Sequence, residues 1–127
     1  MIDDIVGKYS SPPLFTVGFS DGADFAHIYS YNSYRVNIKI SGLIMYGVTM
    51  RHGIPFTTQK KYPVLVCHNF NDKLATLDKA HRIIDEYEAR GHEVESSFHH
   101  GQQRFGHWWN KEVNPIMFDF IRKHEES

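Results

Sequence analysis

Residues 14–26 read LFTVGFSDGADFA, and this stretch decides the fold. Leu14 to Gly18 is a short apolar run with β-branched members, the make-up of a buried strand. Gly18-Phe19-Ser20-Asp21-Gly22 follows, and the spacing of Phe25, Ile28, Tyr29 and Asn32 predicts a helix from Asp21 to about Tyr34. Strand, G-x-S-x-G and helix in that order describe a strained turn that holds up a serine nucleophile. The plainer reading of Ser20 is a helix N-cap, a common role for serine. The two readings differ in their needs, because a nucleophile requires a base and an acid elsewhere in the chain.

Downstream, three more apolar runs read as strands: IKISGLIMYG over 38–47, YPVLVCH over 62–68 and HEVESSF over 92–98. Val64 to Cys67 show no alternation, the mark of burial on both faces. Residues 48–61 hold turn formers and basic residues and read as a loop, the one candidate for a lid. Residues 76–90 predict a helix, with Thr76 as N-cap, a stripe of Leu77, Ala80, Ile83, Ile84 and Tyr87, and Gly91 as its end. Residues 114–123 predict a last helix with Pro115 near its start and Ile116, Phe120 and Ile121 on one face. Residues 3–9 predict a short first helix, stopped by Ser-Ser-Pro-Pro. Strands alternating with helices predict a mostly parallel sheet covered on both sides. Ligands in such sheets bind where the strand C-termini open into loops.

The bulk numbers exclude several classes. The chain has 127 residues and a formal net charge of −1, so it carries no basic nucleic-acid footprint. No apolar run approaches the roughly 18 residues of a membrane span. The polar, acidic start MIDDIVGKYS is no secretory signal. A lone cysteine, Cys67, excludes an internal disulfide and suits a reducing, cytoplasmic setting.

Three residues then fall just after three strands: Ser20 after the first, Asp72 after the third and His107 after the fourth. The order Ser, Asp, His is that of the α/β-hydrolase triad. Asp78 competes with Asp72 but lies inside a predicted helix, where it should be solvated. His99 and His100 compete with His107 and raise the idea of a metal. Adjacent residues on an extended loop point apart, however, and no carboxylate or cysteine nearby completes a known ligand spacing. No metal site is therefore expected. His68 reads as a packed strand-end residue, and His27, His81, His92 and His124 as ordinary helix or turn histidines. Trp108 and Trp109 read as anchors of the last helix.

At these residues the chain resembles the α/β-hydrolase family, in particular its small esterase, carboxylesterase and dienelactone-hydrolase-like members. VGFSDGADFA resembles their nucleophile elbow. YPVLVCHNFNDKLAT resembles the strand and loop that carry the acid, often P-x-L-x-x-H-G-x-x-D. GHWWNKEVNPIMFDFI resembles the histidine loop and final helix. The resemblance spans the C-terminal half of a family member. It implies a single domain over 1–127, a three-layer α/β sandwich on about four mostly parallel strands: a truncated α/β-hydrolase fold.

What the resemblance implies chemically is a serine hydrolase acting on carboxylic esters without a cofactor. Ser20 would attack, His107 would act as base and then acid, and Asp72 would orient it. Gly18 and Gly22 would permit the tight turn, and the Asp21 backbone N–H would donate to an oxyanion. The resemblance implies strands ahead of the elbow that these residues do not supply, so an apolar sheet edge is expected at the first strand. Three outcomes stay open: a homodimer through that edge, a partner chain supplying the missing half as in a split hydrolase, or a non-catalytic pseudoenzyme or interaction module. Neither a nucleic acid nor a membrane is expected as partner.

Overall fold

The computed structural model describes residues 12–33, 38–50, 61–101 and 106–125. Its four strands are β1 (Phe15–Phe19), β2 (Gly42–Tyr46), β3 (Val64–Asn69) and β4 (Val94–His99). They form one sheet in the order β1-β2-β3-β4, and every pair is parallel. The described helices are α1 (Asp21–Asn32), α2 (Leu77–Ala89) and α3 (Val113–His124). The expected helix over 3–9 and most of the expected 48–61 loop lie outside the described residues.

Alternation along β2 sorts the core into two layers. Leu43 and Met45 face α1 and α2, packing with Ala23, Ala26, Ala80, Ile83 and Tyr87. Ile44 and Tyr46 face the other way, onto Val113, Met117 and Phe120 of α3. All six residues of β3 are buried, as expected for a central parallel strand. Each such apolar side chain contributes about 1.5–3 kcal/mol by leaving water.

Strand ends shift for reasons of pairing. The strand expected over 38–47 forms only over Gly42–Tyr46, because Gly42 pairs with Phe15, the first residue of β1. Residues 38–41 have no strand to lie against, although Ile40 is still buried. Thr76 precedes α2 in extended geometry but makes no side-chain cap. Its hydroxyl donates to Asp78 instead.

The helix expected from Asp21 forms as α1, ending at Asn32, and the residues whose spacing marked it are not its buried ones. The stripe of Phe25, Ile28, Tyr29 and Asn32 does not face the core. Phe25 is 71% exposed and Tyr29 44% exposed, while Ala23, Asp24, Ala26, His27, Ser30 and Tyr31 are buried. Small residues let α1 approach the sheet, and its buried polar groups find partners. Asp24 accepts from the Thr49 N–H (3.2 Å), the Thr49 hydroxyl (2.6 Å) and the Met50 N–H (3.0 Å), pinning the chain beyond β2. His27 Nδ1 bonds the hydroxyl of Tyr87, which also meets the Tyr62 hydroxyl at 3.1 Å.

Among the described residues, β1 pairs on one side only. Beside its open edge lies a groove of about 490 Å³ lined by Thr16, Val17, Gly22, Phe25, Ala26 and Tyr29. No described helix is long and apolar enough to cross a membrane.

Candidate active site

Ser20 links β1 to α1 with φ 60° and ψ −123°, a region costly to a residue with a side chain. Backbone bonds at both its N–H and its carbonyl hold it there. Its N–H donates to the Tyr46 carbonyl (2.9 Å), and its carbonyl accepts from Ala23 (3.0 Å). The hydroxyl makes no cap bond to α1, so the N-cap reading does not describe this serine. Gly18 allows the turn: an added Cβ would lie 2.1 Å from the Gly22 carbonyl oxygen. Gly22 corrects the expectation that both glycines are needed sterically, because a Cβ there meets nothing within 4 Å. Its backbone, not its missing side chain, crowds the turn. Asp21 follows Ser20 as the first residue of α1, and its carboxylate lies 3.1 Å from the Thr49 hydroxyl, whose one proton it shares with the nearer Asp24.

The structure brings Ser20, His107 and Asp72 into one hydrogen-bonded row. The Ser20 hydroxyl lies 2.7 Å from His107 Nε2, and His107 Nδ1 lies 2.5 Å from Asp72 Oδ2. A carboxylate only accepts, so the imidazole proton sits on Nδ1 and Nε2 is left to accept from serine. The other Asp72 oxygen accepts from the N–H groups of Leu74 (2.9 Å) and Ala75 (2.8 Å), which fixes the carboxylate in its loop. The Phe19 ring stacks on the His107 ring at 5.2 Å between centroids. Asp72 and His107 are buried, while Ser20 remains partly open.

The competitors fall elsewhere. Asp78 is exposed on α2 and bonded to Thr76. His99 meets the Ser97 hydroxyl at 2.6 Å, away from the row, and His100 is exposed. His68 is fully buried, as expected, and its Nε2 donates to the Ala75 carbonyl (2.6 Å) beneath the acid loop. Burial lowers its pKa, which favours the neutral ring. Burial pushes the Cys67 thiol up to about 12, so it offers no thiolate. His27 and His124 lie on helices and His92 follows α2, and all three are buried. Trp108 is 58% exposed and anchors nothing in the core. Trp109 does reach α3, donating to Asn114 (2.7 Å). Glu93, Glu95 and His124 bring ligand atoms within 4.8 Å of one another. The Lys123 ammonium sits 2.5 Å from Glu95 and 3.8 Å from Glu93, pairing with both carboxylates.

Two residues absent from the sequence expectations lie behind His107. Asn69 ends β3 and Tyr46 ends β2, both fully buried and joined by a 2.5 Å hydrogen bond. Burial raises the Tyr46 phenol above its usual range, so it stays protonated. A signal was present: Asn69 stands where the P-x-L-x-x-H-G-x-x-D pattern has glycine.

A parallel sheet between two helical layers, with serine after β1, aspartate after β3 and histidine after β4, is an α/β-hydrolase fold. Solved structures carry the same architecture. Arabidopsis thaliana SOBER1 superposes with a TM-score of 0.69 at 17% identity, covering 97% of this chain and 59% of that one. A Bacillus cereus carboxylesterase gives a TM-score of 0.73 at 13% identity, covering 97% of this chain and 56% of that one. MGS-M1, an α/β-hydrolase enzyme from a deep-sea metagenome library, gives 0.71 at 16% identity, covering 89% and 55%. The chain therefore spans a little over half the length of these proteins. No protein-family model and no curated protein sequence matches it.

Proposed function

We propose that this chain carries a serine-hydrolase site for carboxylic esters of small or medium acyl groups. The single observation that supports this most is the unbroken row from Ser20 Oγ through His107 to Asp72 Oδ2. Ser20 Oγ attacks the ester carbonyl while His107 Nε2 takes its proton. The imidazolium is stabilised by Asp72, and its Nε2 proton passes to the departing alkoxide as the C–O bond breaks. Water then attacks the acyl-serine carbonyl while His107 Nε2 takes a proton from it, and that proton returns to Ser20 Oγ as the acyl C–Oγ bond breaks and the acid leaves. The charge on the tetrahedral oxygen is met by the Asp21 N–H at the start of α1. No cofactor enters this sequence. With one oxyanion donor assigned, turnover is expected to lie about 10²–10³ below that of a site with two. Hydrolysis of p-nitrophenyl acetate by the wild type and by Ser20→Ala tests the reading. Loss of activity in the variant supports it. Equal rates, or no activity in either, point to an interaction module on the same fold.

We also propose that the open β1 edge pairs with a second copy of this chain. Phe15–Phe19 and the groove residues Gly22, Phe25, Ala26 and Tyr29 carry no charge, so nothing there opposes self-pairing. An antiparallel pair centred on Val17 gives the two-fold contact of a dimer. Size measurement in solution checks it: a dimer at micromolar concentration that Val17→Lys converts to monomer is expected. A wild-type monomer contradicts it, and a co-purifying second polypeptide assigns the edge to a partner chain.

A further inference from the structure

We infer that Asn69, backed by Tyr46, is the positioning residue that sets His107 between Ser20 and Asp72. This deepens the serine-hydrolase reading and rests on it for the chemistry, but not for the geometry.

His107 stands on an irregular segment that no helix or strand steadies. Its two ring bonds run in opposite directions, to residues after two different strands. A small shift of its backbone would lengthen one of them. The Asn69 amide nitrogen holds that backbone on both sides, donating to the Gly106 carbonyl (2.8 Å) and the Trp108 carbonyl (2.9 Å). Both acceptors are carbonyls, so only the NH2 end of the carboxamide can face them. The amide oxygen must then face Tyr46, whose hydroxyl donates to it at 2.5 Å. With its proton spent there, the Tyr46 oxygen accepts from the Asn110 N–H (3.1 Å). Polarity runs one way through the whole chain, and it ties the segment around His107 to the ends of β2 and β3.

The partners make the clamp costly to lose. Asn69 and Tyr46 are both fully buried, so water cannot replace either bond without opening the site. The segment has a second fastening further back, where Asn71 donates to the Gly101 carbonyl (2.8 Å) and accepts from the Gly101 N–H (2.6 Å). That fastening lies on the far side of residues 102–105. The Asn69 pair is the one that flanks His107 directly.

The test uses Asn69→Ala and Tyr46→Phe in the full chain, with circular dichroism to establish folding. Two readouts separate positioning from general stability. The first is the low-field proton resonance of His107 Nδ1–H, which reports the Asp72 bond without any substrate. The second is the split between kcat and KM on p-nitrophenyl acetate. Asn69→Ala is expected to lose or broaden the resonance and to lower kcat by about 100-fold with little change in KM. Tyr46→Phe, which keeps the ring, is expected to lower kcat by about 10-fold. If Asn69→Ala does not fold, Tyr46→Phe decides. A folded variant with a wild-type resonance and wild-type kcat overturns the inference. A wild type that shows the resonance but no esterase activity overturns the hydrolase reading alone, and the resonance of the variants still decides the role of Asn69.

Discussion

Gly18 lies so close under Gly22 that a Cβ at position 18 would stand 2.1 Å from the Gly22 carbonyl oxygen. The turn that raises Ser20 therefore depends on a missing side chain at one glycine and not at the other. Gly18→Ala is expected to destabilise the fold by about 1–3 kcal/mol through overpacking. Gly22→Ala sits in the first turn of α1 with open space around it and is expected to be neutral or to stabilise by up to about 1 kcal/mol. Urea unfolding of the two variants checks the contrast.

Asp72 and Asp78 are six positions apart in sequence but differ in what they touch. Asp72 bonds His107, whereas Asp78 bonds only local groups at the start of an exposed helix turn. Asp72→Asn keeps the shape but loses the correct imidazole tautomer, and a fall in kcat of about 10⁴ is expected. Asp78→Asn is expected to leave kcat unchanged. Rates on a p-nitrophenyl ester measure both.

His27 supplies a pH dependence outside the candidate site. It is fully buried between α1 and Tyr87, and burial lowers its pKa to about 4. The folded value lies below the unfolded 6.5, so the unfolded chain takes up a proton first. The His27 contribution is complete above pH 6.5 and is lost as pH falls towards 4. It amounts to about 3 kcal/mol at neutral pH. Chemical unfolding at a series of pH values should show this slope, and His27→Leu should reduce it, leaving the part that buried His68 and His92 contribute in the same direction.

The turn at Ser20 and the positions of Asp72 and His107 were legible because each follows an apolar run that reads as a strand. Gly18, Ser20 and the strand before them impose one local shape, and Asp72 and His107 follow strands that apolar runs announce. The face of α1 was not legible. Its apolar stripe, Phe25 and Tyr29, lies open beside the edge of β1 that no described strand pairs, and its buried face is made mostly of small and polar residues. Periodicity marks a helix but does not say which neighbour covers each side. Asp24 and His27 are tolerated inside because Thr49, Met50 and Tyr87 reach them from distant parts of the chain. The Asn69 clamp was hidden for the same reason, since its acceptors lie about 40 residues downstream, at Gly106 and Trp108.

The central claim is that Ser20 is a nucleophile activated by His107. Covalent labelling with a fluorophosphonate probe, located by peptide mass spectrometry, tests it most directly. The account predicts one adduct on Ser20 of the wild type and none in Ser20→Ala, with labelling sharply slowed in His107→Ala. A wild-type chain that is folded but unlabelled at Ser20, or labelled equally fast without His107, would contradict it.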